Sequence, residues 1–404
     1  MTIYNTKFSE IDKQFVSDFL LPTTKRYIFG HNQYSKSLVN ELSKRNLKIE
    51  AIIDDFTKDR FYTPPNYSIK IPIINTQSLS QGKVVVVVTS QTKSALKKLS
   101  NIQKHNKQME FMDGFSFFSI AREDFGLDLI EFEFFDSFFA SKNNIPISTW
   151  KDFREHFVAN KKEYENIYNQ LKDVESKSEF ENILNFRLNG NYSFMSSFEF
   201  RPKEQYFEDF YKLEDIKIFF DIGAYQGETS LEFIKRVKDY KQIYFFEPEK
   251  KNFQIAQNAL NKKNIKGFNI GISDKKENLA VKSQTTSSHL VSLDSNNAKS
   301  IQVNSIDNLI KEGAIQVNSY MGGGIMLKFD IESSEIYALE GAKNFIREYK
   351  PIIAISIYHR YNDFITIPKK ILSIYKNYDL YFRHYSSGLT ESVMFFIPLK
   401  QDFQ

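Results

Sequence analysis

The stretch FFDIGAYQGETS, from Phe219 to Ser230, sets the reading of the whole chain. Lys217 to Phe220 holds a short apolar run suited to a buried strand, and it breaks at Asp221 into a turn containing Gly223 and Gly227. Glu228 then opens a helical pattern in which Leu231, Ile234 and Val237 recur at spacings of three. Strand, glycine turn and helix form the nucleotide site of a doubly wound sheet, because glycine lets a ligand approach the backbone beyond the carboxyl end of the strand. One strand later, IYFFEPEKKNF (Ile243 to Phe253) places Glu247 at a strand tip, twenty residues past Gly227. A carboxylate there accepts hydrogen bonds from both ribose hydroxyls of an adenosine.

Two cofactors use this arrangement. A dinucleotide needs three glycines, as G-x-G-x-x-G, so that its pyrophosphate rests on the helix amino end. Here the spacing is G-A-Y-Q-G with Asp221 two residues ahead, which suits a cofactor with no phosphate and a charged amino-acid tail, S-adenosylmethionine. A plain buried strand followed by a tight turn would leave Glu247 unexplained.

At 404 residues, a prior of ~150 per domain predicts two or three domains. The 54 basic and 50 acidic residues nearly cancel to +4, and no basic stripe with interleaved aromatics stands out, so no nucleic-acid partner is expected. The absence of cysteine excludes disulfides, thiolate nucleophiles and Cys-ligated metals. No two of the six histidines have metal-ligand spacing, and no metal site is expected. The amino-terminal MTIYNTKFSEIDKQF lacks an apolar signal core, and no run approaches the ~18 apolar residues that span a bilayer. The expected location is the cytoplasm, with no transmembrane segment.

Outward from the glycine turn, the chain divides into three. Residues 1–118 read as a small Rossmann-like α/β domain. It has strands at Arg26 to Gly30, Ile49 to Ile53 and Lys83 to Thr89, helices at Ser35 to Lys44 and Gln91 to Leu99, and a short strand at Met109 to Met112. The valine run KVVVVVT fits a strand buried on both faces. Its turn, FGHNQYS, keeps only the first glycine of a nucleotide fingerprint, so nucleotide binding stays open, and the favoured reading is a structural or partner-docking unit for a second copy or a glycan-assembly partner. Residues 119–205 read as a helical connecting or cap segment, through EDFGLDLIEFEFFDSFF and Trp150 to Leu188, with a capping box at Ser176 and Glu179 and a stop at Gly190.

Residues 206–404 resume the α/β alternation. Further strands are expected at Ile265 to Ile272, followed by Ser273 and Asp274, and at Ile325 to Phe329, ending at Asp330 and Glu332. The polar stretch Lys275 to Lys299, with TTSSHLVS, reads as a loop over the site, and Val303 to Ile310 as a short packed element. A helix at Glu335 to Arg347 precedes a fifth strand, Pro351 to Ile357, which leads to His359. Tyr378 to His384 and Ser392 to Pro398, joined by SSGLTE, lie too close for a crossover helix and should pair antiparallel. The expected fold is a doubly wound Rossmann-like methyltransferase sheet with a closing antiparallel hairpin.

These motifs carry a resemblance. FFDIGAYQGETS, FFEPEKKNF, IGISD, VNSIDNLI, MLKFDIESSEIYALEGA and PIIAISIYH occur in an order and spacing similar to the FkbM-type methyltransferases, over about residues 204–398. The resemblance implies an S-adenosylmethionine-dependent O-methyltransferase acting on a hydroxyl of a sugar, nucleotide sugar or glycan intermediate. It implies that Asp221, Gly223, Ala224 and Gly227 form the cofactor turn. Glu247 would hold the ribose, Ser273 and Asp274 the adenine, and Asp330 with Glu332 would face the reaction centre. Two positions depart from the family, which usually has Asn at Tyr225 and Gly at Ser333.

Methyl transfer to an alcohol needs alignment, a dry site and a base for the departing proton. Asp330, Glu332 and His359 are the candidates. His359 has the ordinary pKa nearest neutrality, and the acids could be tuned upward by burial. Asp330 with Glu332 could instead hold a divalent cation. Two other functions remain open at this point. One is an NAD-dependent nucleotide-sugar oxidoreductase, and the other a cofactor-binding, non-catalytic scaffold of a glycan-assembly complex.

Overall fold

The computed structural model describes residues 1–4, 8–65, 67–79, 81–88, 91–129, 150–284, 287–291, 299–317, 320 and 324–399. Six short strands build the amino-terminal sheet: β1 (Arg26–Phe29), β2 (Ala51–Ile53), β3 (Phe61–Tyr62), β4 (Ile71–Ile74), β5 (Gly82–Val86) and β6 (Met109–Asp113). They lie in the order β3-β4-β2-β1-β5-β6, parallel apart from β3. Val84, Val85 and Val86 are fully buried between helices on both faces, as the valine run requires. Strands β3 and β4 and the helix Glu10–Phe19 were not anticipated, although Ser9 and Asp12 form a capping box that the sequence displays.

The second large sheet is the expected methyltransferase sheet. Its parallel strands are β7 (Ile218–Ile222), β8 (Gln242–Phe246), β9 (Ile265–Phe268), β14 (Ile325–Phe329) and β15 (Ile352–Ser356), closed by antiparallel β16 (Tyr378–His384) and β17 (Ser392–Pro398). The order β16-β17-β15-β14-β7-β8-β9 puts β7 at the point where the winding reverses, which is where such sheets bind ligands. A small sheet of β10 (Gly271–Ile272), β11 (Glu277–Gln284), β12 (Ser287–Val291) and β13 (Lys299–Asn304) stands beside it. The stretch expected as a loop is thus largely the β11–β12 hairpin, formed by a five-pair antiparallel register from Ala280↔Val291 to Gln284↔Ser287. Thr285, Thr286 and residues 292–298 lie outside the described residues.

The connecting segment is helical at Trp150–Gln170 and Val174–Asn189, and Gly190 ends the second helix at φ +68°. The capping box expected at Ser176 and Glu179 is not formed. Asp173 caps the helix, accepting from the Ser176 N–H, because the helix begins one turn earlier. Ser176 and Glu179 turn to the sheet instead, accepting hydrogen bonds from the backbone N–H groups of Phe382 and His384. Of the expected helix from Glu123 to Phe139, Glu123 alone is helical, as the last residue of the helix Gly114–Glu123; Asp124 to Leu129 are not helical, and the rest lies outside the described residues. One face of the methyltransferase sheet, through Phe220, Leu327, Ile353 and Phe382, shares a single apolar core with both connecting helices and the amino-terminal domain.

Candidate active site

The glycine turn is held from below. Lys328 on β14 and Asp221 on β7 are register partners, so their side chains emerge side by side. The buried ammonium lies 3.1 Å from Asp221 Oδ1 and donates to the Gly223 carbonyl at 2.6 Å. Ser230 donates to the other Asp221 oxygen at 2.7 Å. Asp221 is 0% exposed, and Lys328 and Ser230 hold it beneath the turn. Gly223, at φ +84°, is required by contact: a Cβ there would lie 1.9 Å from the Asp330 carbonyl oxygen. The reaction side therefore abuts the turn directly. Gly223 and Ala224 both donate to the Phe246 carbonyl, and Gly227 opens the next helix at φ +92°.

Glu247 closes this side. Its Oε2 accepts from the Tyr225 N–H at 2.9 Å and its Oε1 from the Glu249 N–H at 2.8 Å. Burial pushes the carboxyl up to about 7, against the pull of those two N–H groups. Each oxygen has a further lone pair for a ribose hydroxyl. Ser273 is buried and donates to Asp274 at 3.0 Å. Asp274 lines a cavity of about 520 Å³ with Asp307, Glu340 and Lys343, whose lining includes neither the glycine turn nor Glu247. The structure brings Gly223, Ala224, Gly227 and Glu247 together over Asp221, and turns Asp274 toward that other cavity.

The tips of β14 and β15 bring Asp330, Glu332 and His359 together. The buried His359 ring has Nε2 at 3.4 Å from Asp330 and 3.8 Å from Glu332, while Nδ1 lies 3.0 Å from the buried Glu335. Burial pulls the ring down, but Glu335 first, then Glu332 and Asp330, outweigh it and hold His359 at about 10. That setting favours the charged ring and works against the expected role of His359 as the base. Glu332 has a side chain 42% exposed. Partial burial and then the charges of Asp330 and Glu335 push it up, while His359 pulls it back. Among the described residues no group of three or more His, Asp or Glu side chains is arranged to hold a metal ion.

Sequence reasoning missed the rest of this centre. Tyr206 donates to Asp330 at 2.9 Å, and Gln205 donates both to the Tyr206 oxygen at 3.0 Å and to Glu391 at 2.8 Å. The signal for Glu391 was topological: β17 runs antiparallel to β15, so the residue before it must lie at the tip where β15 ends.

Residues 221–385 match the family model described as methyltransferase FkbM domain. This stretch is thus similar to the FkbM methyltransferase domain. Its cofactor is S-adenosylmethionine, and the glycine cradle and the Glu247 carboxylate fit that group. The whole chain is similar to the crystal structure of Methyltransferase FkbM from Methylobacillus flagellatus KT, at 22% identity and a TM-score of 0.64, over 96% of this chain and 94% of that one. That likeness covers both large sheets and shows the fold. Fibrillarin from Aeropyrum pernix, in complex with S-adenosyl-L-methionine, is 12% identical over 46% of this chain and 67% of its own, at a TM-score of only 0.28. A rRNA methylase from Streptococcus thermophilus is 12% identical over 46% and 89%, also at 0.28. A search of curated proteins finds no match.

The two departures of the methyltransferase domain from its family's pattern fall on backbone that disfavours them. Tyr225 has φ +48° and Ser333 φ +78°, left-handed positions that Asn and Gly adopt more readily. In the amino-terminal sheet, by contrast, the strand-tip groups are occupied internally. Asn32 caps the helix Gln33–Lys44, and Asp54 accepts from the N–H groups of His31, Phe56 and Thr57. Asp55 is held by Thr76 and Lys98.

Proposed function

We propose that the protein is an O-methyltransferase acting on a hydroxyl of a sugar, nucleotide sugar or glycan intermediate. The observation that supports this reading is the set of reachable carboxylates against the glycine turn. The Asp330 backbone abuts Gly223, and the Asp330 and Glu332 carboxylates, gathered at His359, offer hydrogen-bond acceptors to hydroxyl groups. Gly223, Ala224, Gly227 and Glu247 would hold S-adenosylmethionine, which would supply an activated methyl group. The chain's own work is to bind the hydroxyl, orient it for in-line attack and take its proton.

Glu332 suits the proton step. It is the most exposed of the three named groups, and its raised pKa makes it a better base than an ordinary carboxylate. His359, charged and pinned on Glu335, keeps Glu332 and Asp330 from repelling each other out of position. The oxidoreductase reading loses its basis, because the glycine turn belongs to a methyltransferase domain. Among the described residues no helix is long and apolar enough to cross a membrane. The cytoplasm, where the donor and nucleotide sugars are supplied, is part of this reading.

The test is transfer of a labelled methyl group to a panel of UDP-hexoses and their uronate counterparts. Base-stable methyl ether in the product supports the reading. Transfer only to an amine or carbon acceptor, or to none of the panel, overturns it.

A further inference from the structure

Beyond the FkbM domain match, which ends at residue 385, the chain adds a wall to the reaction centre. Glu391 stands at the foot of β17, beside the tip of β15, where the Ile357 N–H donates to the Ser392 carbonyl. A continuous path of hydrogen bonds runs from it to the reaction side: Glu391 to Gln205, Gln205 to Tyr206, and Tyr206 to Asp330, all between 2.8 and 3.0 Å. Tyr206 also meets Ser356 at 3.3 Å, and its ring lies 5.4 Å from the Lys328 ammonium that holds the glycine turn.

The backbone marks the same place. Of seven non-glycine residues with positive φ among the described residues, Tyr206, Glu332, Ser333 and Glu391 belong to this centre and Tyr225 to the adjoining turn. Such conformations persist only where the surroundings over-determine them, and they gather at ligand clamps. The turn that carries Glu391 is held from outside: the Lys93 N–H of the amino-terminal domain donates to Ser387 at 3.1 Å, and Lys93 pairs with Glu199 at 2.7 Å.

We propose that Glu391 and Gln205 form the acceptor-recognising pair of this site, binding adjacent hydroxyls of an uncharged sugar ring. The inference rests on the O-methyltransferase reading above. A carboxylate beside a carboxamide presents both acceptors and donors, which is what neighbouring hydroxyls need. Gln205 donates to Glu391 and Tyr206 through its nitrogen, which leaves its amide oxygen as an acceptor. Asp330 and Glu332 lie near enough to act on the Glu391 charge, so a ring bearing a carboxylate would meet three acids around the His359 cation and be disfavoured.

The experiment uses the full chain with UDP-glucose and UDP-glucuronate, and likewise UDP-galactose and UDP-galacturonate, as acceptors. Wild type should methylate the neutral sugar of a pair with kcat/KM at least tenfold above its uronate. Glu391→Gln and Gln205→Ala should raise the acceptor KM tenfold or more while the donor Kd stays within twofold, and Glu391→Gln should narrow the preference for the neutral sugar. A role confined to structure would instead lower the thermal midpoint and donor affinity together, and that result overturns the proposal. So does an unchanged acceptor KM in both variants, or equal use of the uronates by wild type. If wild type methylates no member of the panel, the O-methyltransferase reading itself fails and the acceptor pair falls with it.

Discussion

Replacing Lys328 by Met tests the idea that one buried cation ties the glycine turn to the sheet. Lys328 and Asp221 are 2% and 0% exposed and sit opposite one another on adjacent strands, and the Lys328 ammonium also donates to the Gly223 carbonyl. Met keeps the length of the stem and its packing beside Tyr206 but removes the charge. Asp221 is left with the Ser230 hydroxyl as its remaining partner at 2.7 Å. Stranding a buried carboxylate in this way costs about 3–5 kcal/mol. The lost donor to Gly223 also frees the turn, so donor affinity should fall with stability. Asp221→Asn in the Lys328→Met background removes the stranded charge, and the pair should couple by about 0.5–3 kcal/mol relative to the sum of the single changes. Urea unfolding followed by far-UV circular dichroism reads the stability, and calorimetry reads donor binding. A Lys328→Met loss under about 1 kcal/mol, or strict additivity in the double variant, refutes the argument.

Glu247→Gln should weaken donor binding by about 1–3 kcal/mol in calorimetry, the cost of a lost charge-assisted contact to the ribose; unchanged affinity removes Glu247 from the site. Ser333→Gly should raise stability by about 0.5–1 kcal/mol, because Ser333 is held at φ +78°; a lower thermal midpoint would show that the serine side chain outweighs the strain. His359, raised to about 10 by Glu335, Glu332 and Asp330 against the pull of burial, contributes stability that is fully present below its ordinary pKa near 6.5 and is lost as pH rises through about 10. The thermal midpoint should therefore fall more steeply between pH 8 and 10.5 in wild type than in His359→Gln, and parallel profiles would sink the imidazolium assignment.

Local signals were legible where local geometry decides the outcome. The break from apolar strand to Gly223 and Gly227, and the acid one strand later, needed nothing beyond spacing, and Asp330, Glu332 and His359 meet because adjacent parallel strands end on the same side. Lys328 was visible as a lone charge inside IMLKF, yet its partner could be found only from strand register. The protonation of His359 depends on Glu335, which reaches its Nδ1 from the following helix, and no spacing rule foretells that contact. Ser176 and Glu179 looked like a cap because their spacing matches one. The sheet edge claimed both side chains, while Asp173 took the helix end. Asp274 follows the expected strand, whose end, Gly271–Ile272, pairs with β13, and it lines a cavity with Asp307, Glu340 and Lys343 that no spacing rule foretells.

The connecting helices belong to the function as much as to the fold. Strained backbone at Tyr206, Glu332, Ser333 and Glu391 costs of order 1–3 kcal/mol per residue, and it holds only if the walls around it are rigid. Those walls include β16 and β17, whose outer face rests on Phe180, stacked edge-on against Phe382 at 5.3 Å. Arg383 is clamped by Asp173 at 2.8 Å and Glu175 at 3.0 Å. A chain beginning near residue 200 would keep the glycine turn, Glu247 and every carboxylate of the reaction side. It would lose Asp173, Ser176, Glu179 and Phe180 together, and with them the support of the hairpin that carries Glu391. The amino-terminal domain adds the Lys93 hold on Ser387. On this reasoning the acceptor half of the site, more than the donor half, is what the first 200 residues keep in shape.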